Sequence, residues 1–103
     1  MKGLYLQTMT ATEFKRSVLD EIMPQGLPLY VQALWHDGKG DWKSAHNLID
    51  ELGDKDSARV HAYLHRKEGD IWNADYWYRK AGSKRPNHSL EEEWEELVHM
   101  FLR

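Results

Sequence analysis

From residue 11 onward, apolar positions recur at spacings of three and four, with no competing alternation of strand type. Thr10 and Glu13 have the spacing of a capping box, and Met9 and Phe14 are placed as a hydrophobic staple. Phe14, Val18 and Ile22 then form a stripe with Leu19 beside it, which predicts a flanking helix over about 11–23. Pro24 and Gly26 break that helix, and Pro28 suits the first turn of a second one reaching about Asp37. "DGKG" reads as a turn, with Asp41 capping a third helix that runs to about Leu52 ahead of Gly53. Asp54 or Asp56 opens a fourth helix, stopped by Gly69; Asp70 opens a fifth, ending near Ala81 and Gly82. "SKRPN" reads as a loop, and Ser89 with Glu92 makes a second capping box. Leu90, Trp94, Leu97, Val98 and Phe101 line one face of the last helix, over about 89–102, and Glu91, Glu92, Glu93, Glu95 and Glu96 are expected to make its solvated face.

The middle of the chain repeats. "VQALWHDGKGDWKSAHNLIDELG" lies over "VHAYLHRKEGDIWNADYWYRKAG" at an offset of 29 residues, from Gly40 to Gly69. Val31 falls on Val60, Ala33 on Ala62, His36 on His65, Asp41 on Asp70, Ala45 on Ala74 and Gly53 on Gly82. The shared residues are small ones where helices approach closely, and a Gly-Asp that closes one helix and caps the next. Each unit reads as a helical hairpin that cannot bury both faces alone, so units are expected to stack.

The second unit resembles a tetratricopeptide repeat (TPR). The match rests on Ala62 in the first helix, Gly69 and Asp70 at the turn, Ala74, Tyr78 and Ala81 in the second helix, and Pro86 with Asn87 after it. The resemblance extends from about Asp56 to Asn87 and is weaker over 28–53. The whole chain is also similar to small bacterial proteins carrying "HAYLHRxEGD" and "YWYRxAG", a group with no activity to carry over. The resemblance implies one all-α domain over 1–103, with hairpins at about 28–53 and 56–87 stacked as a short right-handed TPR-like solenoid. The flanking helices then act as caps. It further implies recognition of a protein or peptide along a concave surface. The chain departs from the family at His61 and His65, which stand where the repeat prefers apolar or tyrosine-like residues, and at Ala58, which replaces an early Trp.

Composition narrows the function classes. A net charge of −3 among 30% charged residues leaves no basic footprint for nucleic acid or anionic lipid. The absence of cysteine excludes disulfides, thiol nucleophiles and thiolate zinc sites. "MKGLYLQTM" lacks the apolar run of a signal peptide, and no stretch approaches a membrane span. A cytoplasmic protein is expected, with neither nucleic acid nor membrane as partner. Five Trp and five Tyr in 103 residues imply large packing surfaces or an interaction face.

The candidate chemistry is histidine. His61 and His65, four apart, share one face of the fourth helix. At about 100° per residue they fall in the apolar arc with Val60, Leu64, Ala58 and Ala62, whereas Arg59, Tyr63, Arg66 and Lys67 fall opposite. Three readings compete. The rings are neutral core residues answered by hydrogen bonds; or they bind a divalent metal with His36 or His46 and Asp37; or they line a polar pocket for a small ligand or proton transfer. The first is preferred, because buried polar groups are normally satisfied and a zinc site needs a third ligand that no motif supplies. Burial without an acidic partner also implies acid sensitivity between about pH 6.5 and 5.

"YWYRKAG" places Tyr76, Trp77 and Tyr78 in a row. Tyr78 is assigned inward, and Trp72, Tyr76 and Trp77 make the candidate interaction surface. Trp72 and Trp42 follow the two turns and are expected to plug the seams between units. "HDGKGD" lacks the spacing of a phosphate loop. The function expected is therefore a non-catalytic protein-interaction or scaffold module, homodimerising through its aromatic residues. The alternative is a ligand- or metal-binding protein, or a small enzyme, built on His36, His46, His61 and His65. No cofactor is expected apart from a divalent metal at the histidines.

Overall fold

The computed structural model describes residues 9–102; the stretch read above for the absence of a leader lies almost wholly outside them. The described residues form six α-helices and no strand: α1 (Ala11–Asp20), α2 (Leu29–Gly38), α3 (Trp42–Ile49), α4 (Lys55–Glu68), α5 (Ile71–Lys80) and α6 (Leu90–Phe101). The all-α class follows from the periodicity, and the boundaries follow from the caps. Thr10 and Ser89 each complete a capping box with Glu13 and Glu92. Asp41, Asp54 and Asp70 accept from the amides of Ser44, Ser57 and Asn73. Each satisfies one of the amides that a helix start leaves unpaired. Gly69 ends α4 at φ 89°, a left-handed conformation that suits glycine.

Two predicted ends fall earlier. α1 stops at Asp20, because Glu21 takes the left-handed conformation (φ 60°) and its amide turns back to Ser17 and Val18. Ile22 therefore leaves the stripe and is 70% exposed, as Leu19 is at 77%. Phe14 alone of that row is fully buried, with Val18 packed beside it. α3 stops at Ile49 rather than near Leu52.

The helices pair as two hairpins, α2 with α3 and α4 with α5. The first helix of the second hairpin, α4, lies against both helices of the first and also against α6. α1 packs on α2, and α6 closes over α2 and α4. α4 is thus enclosed, and every residue from Ser57 to His65 is buried. Its apolar side chains join Phe14, Val31, Leu34, Ile49, Leu97 and Val98 in the main core. Tryptophan indoles pin the seams. Trp42 donates to the Leu64 carbonyl (2.8 Å), Trp94 to that of Leu34 (3.0 Å), and Trp35 to the Ser17 hydroxyl (3.0 Å). Trp42 plugs its seam as expected, but Trp72 plugs none and is 78% exposed. Gly38 lets α6 approach, since a Cβ there would meet Trp94 Cζ2 at 2.9 Å.

On the stripe of α4 opposite the histidines, Arg59 and Tyr63 are buried and Arg66 is partly so, and the reason is electrostatic. Glu93, expected on the solvated face of α6, is fully buried. It accepts from Arg59 at 2.7 Å, Arg66 at 2.7 Å and the Tyr78 hydroxyl at 2.5 Å. Arg59 also lies over the Tyr78 ring, and Arg66 donates to the His88 carbonyl. Burial, reinforced by the bond to Glu93, pushes the Tyr78 hydroxyl pKa up and keeps it a donor. On the same stripe, Tyr63 donates to Asp37 at 2.7 Å and Lys67 at 2.9 Å. Positions 59, 63, 66 and 67 therefore meet two carboxylates from α2 and α6, with Lys67 still open to solvent. Removing one partner from such a network strands the others in a low-dielectric interior. Glu93→Ala is expected to cost about 3–5 kcal/mol of unfolding free energy, read by urea denaturation, because two guanidiniums lose their counter-ion. Replacing the exposed neighbour Glu92 is expected to cost only the loss of a cap contact, up to about 1 kcal/mol.

Candidate functional site

Opposite the ionic stripe, α4 presents His61 and His65, one turn apart, toward α3 and α5. His46, half-buried on α3, completes a group of three. Each ring offers a nitrogen within 4.8 Å of the other two. The Nε2 atoms of His46 and His61 face each other at 3.1 Å. The rings of His61 and His65 stack with centroids 4.8 Å apart, and His46 meets each of them edge-on. Tryptophans wall the group. Trp77 stacks on His61 at 4.0 Å and Trp42 on His46 at 4.8 Å.

These contacts settle where the sequence candidates lie. His46, His61 and His65 converge, whereas His36 packs edge-on against Trp35 on α2. The offset of 29 residues makes His36 the counterpart of His65, but repeat equivalence is not spatial adjacency. Asp37, considered as a fellow ligand, belongs to Tyr63 and Lys67. Trp77 is half-buried against His61 and not a free surface residue; Trp72 and Tyr76 are exposed.

The three rings differ electrostatically. His65 donates from Nδ1 to Glu68 at 2.7 Å, since a carboxylate only accepts. This ring therefore has the acidic partner that the sequence did not supply. His61 has none. It is 3% exposed, and its Nδ1 has no hydrogen-bond partner. Burial, then the neighbouring His65 and His46, depress its pKa to about 3. Burial, followed by His65, also lowers that of His46. At neutral pH His61 and His46 are neutral and carry lone pairs. Acceptor nitrogens thus converge in an aromatic-walled recess, a set of groups able to share a proton or to hold a cation.

A second polar site was not legible in the sequence as a site. The buried carboxylate of Asp37, with Tyr63 and Lys67 on it, lies at one wall of a hollow of about 320 Å³ that Leu90, Trp94 and Glu95 also line. Burial, then Asp37, raises the Tyr63 pKa. The available signal was positional: Tyr63 and Lys67 stand four apart on one face of α4.

No protein-family model matches the chain, and neither a curated protein nor a solved structure is detectably similar to it.

The histidine environment fixes a pH response. An unfolded histidine binds a proton below about 6.5, whereas folded His61 resists protonation down to about 3. Stability is therefore full above about pH 6.5 and declines as the pH falls, by about 1.4 kcal/mol per pH unit for this ring. The effect is assigned to His61 and His46, the two rings whose pKa burial depresses. The urea midpoint of the metal-free protein is expected to drop between pH 7 and 5, and His61→Leu to flatten that drop. A midpoint independent of pH in the parent protein would contradict the assignment.

Proposed function

We propose that this chain is a non-catalytic, TPR-like protein-interaction module whose first partner is a second copy of itself, docked through α5. The exposed face of that helix carries the reading. Trp72 is 78% exposed and Tyr76, one turn on, 41%, with Ile71 beside them at 38%. Trp and Tyr are the residue types that concentrate binding energy at interfaces, and contiguous exposed aromatics are uncommon on monomers. The placement of the first helix of one hairpin against both helices of the preceding one supports the repeat relationship.

Charge favours self-association over an arbitrary ligand. Glu68 and Asp70 stand at the N-terminal end of α5, and Arg79, Lys80 and Lys84 at its C-terminal end and just beyond. Two copies of α5 packed antiparallel set the acidic end of each against the basic end of the other, as a two-fold contact requires. The non-catalytic reading is supported by the buried carboxylates, which are already engaged: Glu93 by two arginines and a tyrosine, Asp37 by a tyrosine and a lysine.

Sedimentation equilibrium is expected to show a dimer. Trp72→Ser is expected to weaken it by at least about 2 kcal/mol, roughly 30-fold, with the thermal midpoint of the monomer unchanged. Lys80→Glu is expected to weaken it in a salt-dependent manner. A parent protein that stays monomeric at high concentration overturns the self-association.

A further inference from the structure

The geometry points to a binding site for a borderline divalent transition-metal ion, of zinc type, formed by His46, His61 and His65 with Glu68 behind His65.

The distances suit a shared metal ion as well as a hydrogen bond. Two imidazole nitrogens on one tetrahedral zinc, at about 2.0–2.1 Å each, stand about 3.3 Å apart. The Nε2 atoms of His46 and His61 already stand at 3.1 Å. A nitrogen of His65 lies within 4.8 Å of both. His61 and His65 come from adjacent turns of one helix and His46 from the helix packed beside it, so the three approach from two directions.

His46 and His61 can hold only one proton between the facing nitrogens, and the other nitrogen of His61, fully enclosed, has no partner. With both rings in the Nδ1–H tautomer, the two facing Nε2 atoms present lone pairs to one another, and a cation between them is the partner that answers both. His65 adds the arrangement that metal-binding histidines usually have. One ring nitrogen donates to a carboxylate, which fixes the tautomer and leaves the other nitrogen as the donor to a metal. The tryptophans stacked on His46 and His61 hold those rings in place and exclude water.

The donor set selects the ion. Three imidazoles suit zinc, copper, nickel or cobalt, and do not suit magnesium or calcium, which require oxygen cages. Three protein ligands leave a fourth position on the open side, where half-buried His46 lies, for water or another small donor.

The test uses cobalt(II) and zinc(II) with the chelator-treated full chain above about pH 7, clear of the ordinary imidazole value of about 6.5. Cobalt(II) is expected to give the intense visible bands of tetrahedral coordination at one equivalent. Zinc is expected to displace it and to raise the thermal midpoint. His46→Ala, at a half-buried position, is expected to abolish the bands. Glu68→Gln, exposed and close in shape, is expected to weaken zinc about 10- to 100-fold while the bands persist. His99→Ala, on the outer face of α6 beside Glu95, is expected to change nothing. Absence of the cobalt bands, or binding that survives His46→Ala and disappears with His99→Ala, overturns the site. So does a zinc affinity indifferent to Glu68→Gln and His46→Ala.

Discussion

One buried carboxylate organises the packing of α4. Glu93 reaches from α6 into the space between α4 and α5, and is met there by Arg59, Arg66 and Tyr78. Without it, those guanidiniums would have to face water, and the α4 stripe that carries them could not be covered. With it, α4 is enclosed on both sides. The ionic stripe faces α2 and α6, and the imidazole face meets α3 and α5. The histidine recess exists because the other side of the helix is closed. A buried ion network of this kind contributes more to which helix packs where than to net stability, since desolvation of the charges offsets much of their attraction.

The two sides of α4 were unequally legible. His61 and His65 were placed inside from their spacing, because apolar neighbours at i±1 and i±3 locate an inward face. His46 was named among several candidates, but which histidine of the first hairpin would join them was open. Internal homology pairs His36 with His65, and sequence offset carries no information about which rings meet across a seam. The ionic stripe was assigned to solvent, since residues such as Arg59, Tyr63, Arg66 and Lys67 give the same pattern whether water or a distant carboxylate answers them. Only Glu93 carried a hint. It lies four residues before Leu97, at the edge of the apolar arc, and was absorbed into a run of five glutamates.

Helix existence was nearly all readable, because capping chemistry is local. Thr10, Asp41, Asp54, Asp70 and Ser89 each mark a start with their own side chains. The end of α1 was misplaced for the complementary reason. Nothing in "SVLDEIM" announces that Glu21 turns left-handed, and the apolar spacing continues through Ile22 although the helix does not. Trp42 and Trp72 teach the same lesson. They follow equivalent turns, yet one finds the Leu64 carbonyl of the next hairpin and the other, in the last hairpin, has no following unit against which to lie.

That asymmetry bears on how long such an array can be. A repeat protein lengthens when each unit offers its successor the surface it received from its predecessor. Here the second hairpin offers two guanidiniums and a phenol, and α6 supplies the acid that answers them. Another hairpin copied in before α6 would have to cover these cations with apolar residues, or carry its own glutamate at the corresponding turn. The outer charge of the second hairpin is therefore answered by a single side chain of α6, and any further hairpin inserted there would need an acid of its own.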